Sequence, residues 1–193
     1  MKRHLISFLI FAFIISVGIQ NLFGSQTTSG EKTKEKDSTE NKPTTLTWYK
    51  YDKGLAKAKK EKKHILVHFY TNWCGWCKRM DKYTFGNEDV KKVLNESYVA
   101  VRVNGQSGEQ VKFDGKQISE RQLTGRYSVH AYPVTWFLKP SGERIAPRLG
   151  YADADEFLYI LNWVKDDLYE KISFNEFVKQ EQEKEKSKKK QDK

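Results

Sequence analysis

Apolar positions along the chain fall into short dense blocks separated by polar stretches, and the spacing within each block predicts an element. Leu46-Thr47-Trp48-Tyr49 opens the first block and predicts a strand. Asp52 can cap a helix running to about Lys63, with Leu55, Ala56 and Ala58 for packing. Ile65 to Tyr70 is an unbroken β-branched and aromatic run, the pattern of a strand buried on both faces. Trp76 to about Glu96 reads as helix with a break near Gly86-Asn87, and Tyr98 to Val103 as the next strand. Residues 105–117 are rich in Gly, Lys and Gln and predict a loop; Ser119 starts a helix to about Tyr127. Val134 to Leu138 predicts a strand, Lys139-Pro140-Ser141-Gly142 a turn, and Arg144 to Leu149 a short strand back. Asp153 with Glu156 resembles a capping box, and Phe157, Leu158, Ile160, Leu161 and Val164 follow at helical spacing. Ser173 with Glu176 caps a further helix, which gives way after Gln180 to Glu, Lys and Gln, a frayed helix or disordered tail.

The predicted order is β-α-β-α-β-α-β-β-α, without internal repeats. It implies an α/β fold with a mixed central sheet of four to five strands and helices on both faces. The body spans 45–170, and 171–193 forms a charged C-terminal helix or tail. Residues 25–44 contain no large apolar side chain, so they cannot offset their ordering entropy and predict a flexible linker.

The start of the chain has another character. Lys2, Arg3 and His4 precede a run, Leu5 to Ile19, that is apolar apart from Ser7, Ser16 and Gly18, and small residues follow at Gly24-Ser25. Residues 1–24 therefore read as a signal peptide. Counted through Phe23, the run approaches the roughly 20 residues of a spanning helix, so 5–23 could instead act as a membrane tether. No cysteine near the cleavage region offers a lipidation site. Export to the periplasm or cell envelope is the expectation. The formal net charge of +10 comes from lysines spread along the chain, with no basic stripe interleaved with aromatics, so nucleic-acid binding is not expected.

Both cysteines of the 193-residue chain lie in Trp73-Cys74-Gly75-Trp76-Cys77-Lys78. A bridge between them closes so short a loop that it constrains the unfolded chain little, which favours reversible thiol–disulfide exchange over stapling. The strand-to-helix junction puts Cys74 at a helix N-terminus, where unpaired N–H groups and the dipole favour the thiolate. Cys77 falls one turn in, less exposed and placed to attack a mixed disulfide on Cys74. Lys78 adds positive charge. Gly75 permits a tight turn and keeps bulk away from the attacked sulfur.

At these residues the chain resembles the thioredoxin family. The resemblance is carried by residues 65–78, by Ala-Tyr-Pro-Val-Thr-Trp-Phe at 131–137 and by Arg-Leu-Gly-Tyr at 148–151, and covers roughly 46–168. The cysteine motif and the apolar leader look closer to exported thioredoxin-like proteins of the SoxW type than to cytosolic thioredoxin. The resemblance implies that Cys74 attacks and Cys77 resolves, and that Pro133 is a cis-proline opposite the disulfide. It further implies that the Tyr132 backbone pairs with an extended substrate, that Gly150 lines the same groove, and that Trp73 packs beside the motif as a lid, with Trp76 between the cysteines. No bound cofactor is implied beyond the redox-active Cys74–Cys77 pair. The partners are protein thiols and disulfides and an upstream thiol donor, and the protein is expected to be a monomer.

The chain departs from the family at three places. Trp76 replaces the usual proline, His68 replaces a buried aspartate six residues before the first cysteine, and the stretch between Val103 and Ala131 is long. His68 has two readings: a proton shuttle for Cys77, suited by an imidazole that titrates near neutrality, or a core histidine bonded to the backbone. A zinc site from His64, His68, Cys74 and Cys77 fails on geometry, because residues four apart on a strand lie about 13 Å apart. His130 is read as a solvent-facing loop residue. Trp48, Trp136 and Trp163 are read as core. A disulfide oxidase and a non-catalytic binding module are the competing functions; the absence of a large inserted helical domain favours a reductase or general interchange.

Overall fold

The structure is a computed structural model and describes residues 45–191. The leader (1–24) and linker (25–44) lie outside the described residues, as do Asp192 and Lys193. Along the chain run β1 (Trp48–Tyr49), α1 (Tyr51–Glu61), β2 (His64–Tyr70), α2 (Gly75–Tyr83), α3 (Glu88–Ser97) and β3 (Tyr98–Asn104). There follow β4 (Gln110–Phe113), β5 (Lys116–Ser119), α4 (Glu120–Arg126), β6 (Val134–Leu138) and β7 (Arg144–Leu149). Helix α5 (Ala154–Lys165), a 3₁₀ turn (Leu168–Glu170) and α6 (Phe174–Gln191) complete the order.

Five strands form one mixed sheet in the order β1-β3-β2-β6-β7. β2 is central because it is apolar on both faces. It pairs in parallel with β3 and antiparallel with β6. Ile65, Val67 and Phe69 join Tyr51, Val101, Leu123 and Tyr127 in one core, beneath α1 and α4. Leu66 joins Met80, Leu94, Phe157 and Leu161 in the other, beneath α2, α3 and α5. Each fully buried Leu or Phe of this kind contributes about 1.5–3 kcal/mol.

Two expectations are corrected, and a third, left between helix and tail, is resolved. The first helix is not capped by Asp52: it starts at Tyr51, whose buried ring anchors the first turn, and Lys50 holds the cap position without a side-chain bond. Asp52 sits in that first turn instead, where its charge complements the dipole. Residues 105–117 are not all loop, because β4 and β5 form a hairpin within them. Its two-residue turn, Asp114-Gly115, has positive φ at both positions (48° and 78°), the combination that matches strand twist. Val111 of β4 is buried in the first core. Finally, α6 continues through the charged segment to Gln191, anchored by Phe174 and Phe177 against the body. The Trp48, Trp136 and Trp163 rings are half-buried and pack on the cores.

The sheet edges are blunt. β1 is only two residues long. The opposite edge, β7, carries Pro147 in mid-strand and a register shift opposite Phe137 and Leu138. Among the described residues, no helix is long and apolar enough to cross a membrane.

Candidate active site

β2 ends at Tyr70, and α2 begins five residues later with Cys74 as its N-cap. The extended backbone of Cys74 turns its sulfur back onto the helix, where it accepts the Cys77 N–H at 3.0 Å. Cys74 and Cys77 are joined in a disulfide with Cα atoms 5.2 Å apart. Cys77 is the more enclosed, 1% exposed against 4% for Cys74. When the bridge opens, the N–H and the helix dipole are already aimed at the Cys74 sulfur, which favours its thiolate. Gly75 takes an ordinary helical position, and a Cβ there would meet nothing within 4 Å. Its effect is to leave the approach to the sulfur clear rather than to permit a turn.

Trp76, Tyr132, Pro133, Gly150 and Tyr151 line an open groove of about 360 Å³. The Tyr132–Pro133 bond is cis. Gly150 has φ +73°, a conformation that side chains resist, and donates its N–H to the Pro133 carbonyl at 2.8 Å. Trp73 is exposed, and its ring meets Tyr132 edge-to-face at 6.2 Å. Trp76 is also exposed and tilts against Tyr151 at 5.5 Å. The groove residues named from sequence therefore converge, and Tyr151 joins them.

His68 is wholly buried. Its Nδ1 lies 3.1 Å from the Thr135 hydroxyl, and its ring packs edge-on against Phe85 at 4.9 Å. Its Nε2 has no hydrogen-bond partner among the described residues. Burial, helped by the charge of Arg102, lowers its pKa to about 3, so the ring is neutral at physiological pH. The hydrogen bond goes to a side chain, not to the backbone. His64, at the start of the same strand, lies 3.1 Å from Asp167, and His130 is exposed.

Strand register brings His68 into line with residues whose sequence setting did not mark them. Arg102, His68, Thr135 and Arg148 sit opposite one another across four strands. Arg102 is stacked between the Trp48 and Tyr70 rings, 4.5 and 5.0 Å from their centres, and pairs with Asp81 of α2. Burial raises the Asp81 pKa, and Arg102 partly offsets this. Arg148 binds Glu156 of α5 through two hydrogen bonds, 2.8 and 3.1 Å. The signal available was a single arginine inside an apolar strand.

Residues 51–165, more than half of the chain, match the profile of the thioredoxin-like domain. The chain belongs to this family. Among curated proteins, this thioredoxin-like chain is 29% identical over 99 residues to a protein disulfide-isomerase of Hordeum vulgare, covering 51% of this chain and 16% of that one. It is 34% identical over 109 residues to the thiol:disulfide interchange protein DsbD 2 of Pseudomonas aeruginosa, covering 55% and 17%. It therefore spans about a sixth of the length of these relatives. Among solved structures, a thioredoxin-fold protein from Helicobacter pylori superposes with TM-score 0.54 at 22% identity, over 68% of this chain and 92% of that one. A thioredoxin from Thermus thermophilus gives 0.51 at 25% identity, over 62% and 86%. The five-stranded mixed sheet with helices on both faces is thus a thioredoxin-like fold.

Proposed function

We propose that this chain is an exported thiol–disulfide oxidoreductase that reduces or exchanges disulfides of envelope proteins. The observation that carries the reading is the Cys74–Cys77 pair at a helix N-cap beside the groove that holds Pro133. In the reducing direction, the Cys74 thiolate attacks one sulfur of a client disulfide. That bond breaks, a mixed disulfide with Cys74 forms, and the released client thiolate takes a proton. The Cys77 thiolate then attacks the Cys74 sulfur, frees the second client thiol and closes the Cys74–Cys77 bond. Two electrons pass to the client, and a partner thiol protein restores the dithiol without a bound cofactor.

Within the groove, the Tyr132 backbone pairs with an extended client segment, and Trp73, Trp76 and Gly150 bound it. His68 acts as a neutral residue of the central strand, hydrogen-bonded to Thr135, rather than as a proton carrier, because it takes up a proton only near pH 3. The leader carries the chain out of the cytosol, either cleaved or kept as a tether through 5–23, and the domain works as a monomer.

The test is a trap. Cys77→Ser, expressed with its own leader, should accumulate mixed disulfides through Cys74 in the envelope fraction; no trapped species under oxidising or reducing conditions would overturn the reading. Equilibration of the wild-type pair with glutathione buffers then fixes direction, since stabilising the reduced form makes an oxidant. A potential near that of thioredoxins, about −270 mV, is expected for a reductase.

A further inference from the structure

The most exposed large apolar side chains among the described residues are Trp73 (64%), Trp76 (57%), Tyr83 (54%) and Leu149 (65%). Trp73 precedes Cys74 and Trp76 lies between the cysteines, Leu149 precedes Gly150 of the groove wall, and Tyr83 ends α2, where Arg79 links its ring to those of Trp76 and Tyr151. An apolar patch gathered at one place on a surface marks an interaction site. Charge accompanies it. The Arg79 guanidinium lies 5.5 Å from the Trp76 ring centre, 5.5 Å from Tyr151 and 5.8 Å from Tyr83. Lys82 stands 4.9 Å from Tyr83, and Lys78 is exposed on the same helix.

The carboxylates around this patch are engaged elsewhere. Asp81 pairs with Arg102, Glu156 with Arg148, and Asp153 caps α5. Among the described residues, Lys78, Arg79 and Lys82 make no ion pair. Ring faces hold a guanidinium in place but give its N–H fork no strong acceptor, so the fork stays available to a carboxylate. The groove end formed by Trp76 and Tyr151 is where a bound segment would meet it.

We propose that Arg79, seated on Trp76 and Tyr151, selects clients that carry a carboxylate close to the cysteine they present. The occupant of this face is an acidic protein segment with an apolar side chain beside its disulfide. The proposal rests on the thiol–disulfide reading above and names its substrate class. The capture step balances simply: Cys74 thiolate attacks the peptide disulfide, one S–S bond breaks, one forms, and the leaving thiolate takes a proton.

The experiment uses the full chain carrying Cys77→Ser, so that capture stops at the mixed disulfide and does not depend on redox direction. Three disulfides are offered: a peptide with glutamates beside the cystine, the same peptide with lysines, and neutral hydroxyethyl disulfide. Each rate is divided by the rate with free 2-mercaptoethanol, which removes the intrinsic reactivity of the disulfide. The glutamate peptide should be captured about fivefold faster than the lysine peptide at low salt. The preference should vanish in about 1 M salt, where charges beyond a few ångströms are screened. It should also vanish with Arg79→Gln, while capture of hydroxyethyl disulfide stays unchanged and certifies a folded site. Equal capture of both peptides, with hydroxyethyl disulfide still captured, would overturn the selection by Arg79 alone. Capture of none of the three would overturn the thiol–disulfide reading itself.

Discussion

An imidazole free in water takes up its proton near pH 6.5, whereas His68 waits until about pH 3 because burial, aided by Arg102, disfavours the charged ring. The folded state thus binds fewer protons than the unfolded state between these values. The stability given by the neutral ring is complete above pH 6.5 and is lost as pH falls toward 3, by up to about 1.4 kcal/mol per unit. Urea unfolding between pH 6.5 and 4 should therefore show a shallower loss for His68→Asn than for the wild type, whatever their absolute stabilities. Matching slopes would mean that the ring is not held neutral. On the catalytic side, His68→Ala should leave the pH profile of exchange near neutrality in place. At Gly150, φ +73° costs a side chain about 1–2 kcal/mol. Gly150→Ala should lower stability by that amount in chemical denaturation and slow client exchange by displacing Tyr151 from the groove.

The β4–β5 hairpin is an element whose sequence looks like loop and whose inner face is core. Val111→Ala removes two buried methyl carbons from the first cluster and should cost about 2 kcal/mol, read as a lowered urea midpoint. Phe177→Ala should cost about 3 kcal/mol, since this ring is the buried anchor of α6. Shortening α6 after Gln182 should change stability by less than about 0.5 kcal/mol, because Glu183 to Lys188 lie on the surface. These elements also show what could be read in advance. Ile65 to Tyr70 announced a central strand because every position is apolar or aromatic save one, and Ser119 and Asp153 announced helix starts through caps that the structure contains. The hairpin went unread because only Val111, Phe113 and Ile118 punctuate its polar sequence; Asp114-Gly115 was the available sign. At the site, the cysteine motif and Tyr132-Pro133 were legible because their chemistry is local to a few neighbours. Arg102, Asp81 and the Arg79–Tyr151 contact were not, because register and helix packing bring them together across long stretches of chain.

At the scale of the whole molecule, redox direction is a difference in stability between two covalent forms of one fold. A reductase is more stable oxidised than reduced, and each 1.4 kcal/mol of that difference is about 30 mV. The long segment between β3 and β6 adds a hairpin and one helix, and the stability difference between the two covalent forms has to be measured on the whole domain. Reduction with dithiothreitol should then lower the thermal midpoint; a rise would point to an oxidant. The blunt sheet edges bear on a different hazard. Proteins with broken disulfides expose unpaired strands, and any long, regular edge nearby is a template on which they can polymerise. Here one edge ends after two residues, and the other is interrupted by Pro147, by a register shift and by arginines on either side. An unpaired strand that meets either edge of the five-stranded sheet finds no long, regular ladder to extend. On the proposed function, a client can then be handled at its disulfide and let go without this sheet becoming the seed of its aggregate.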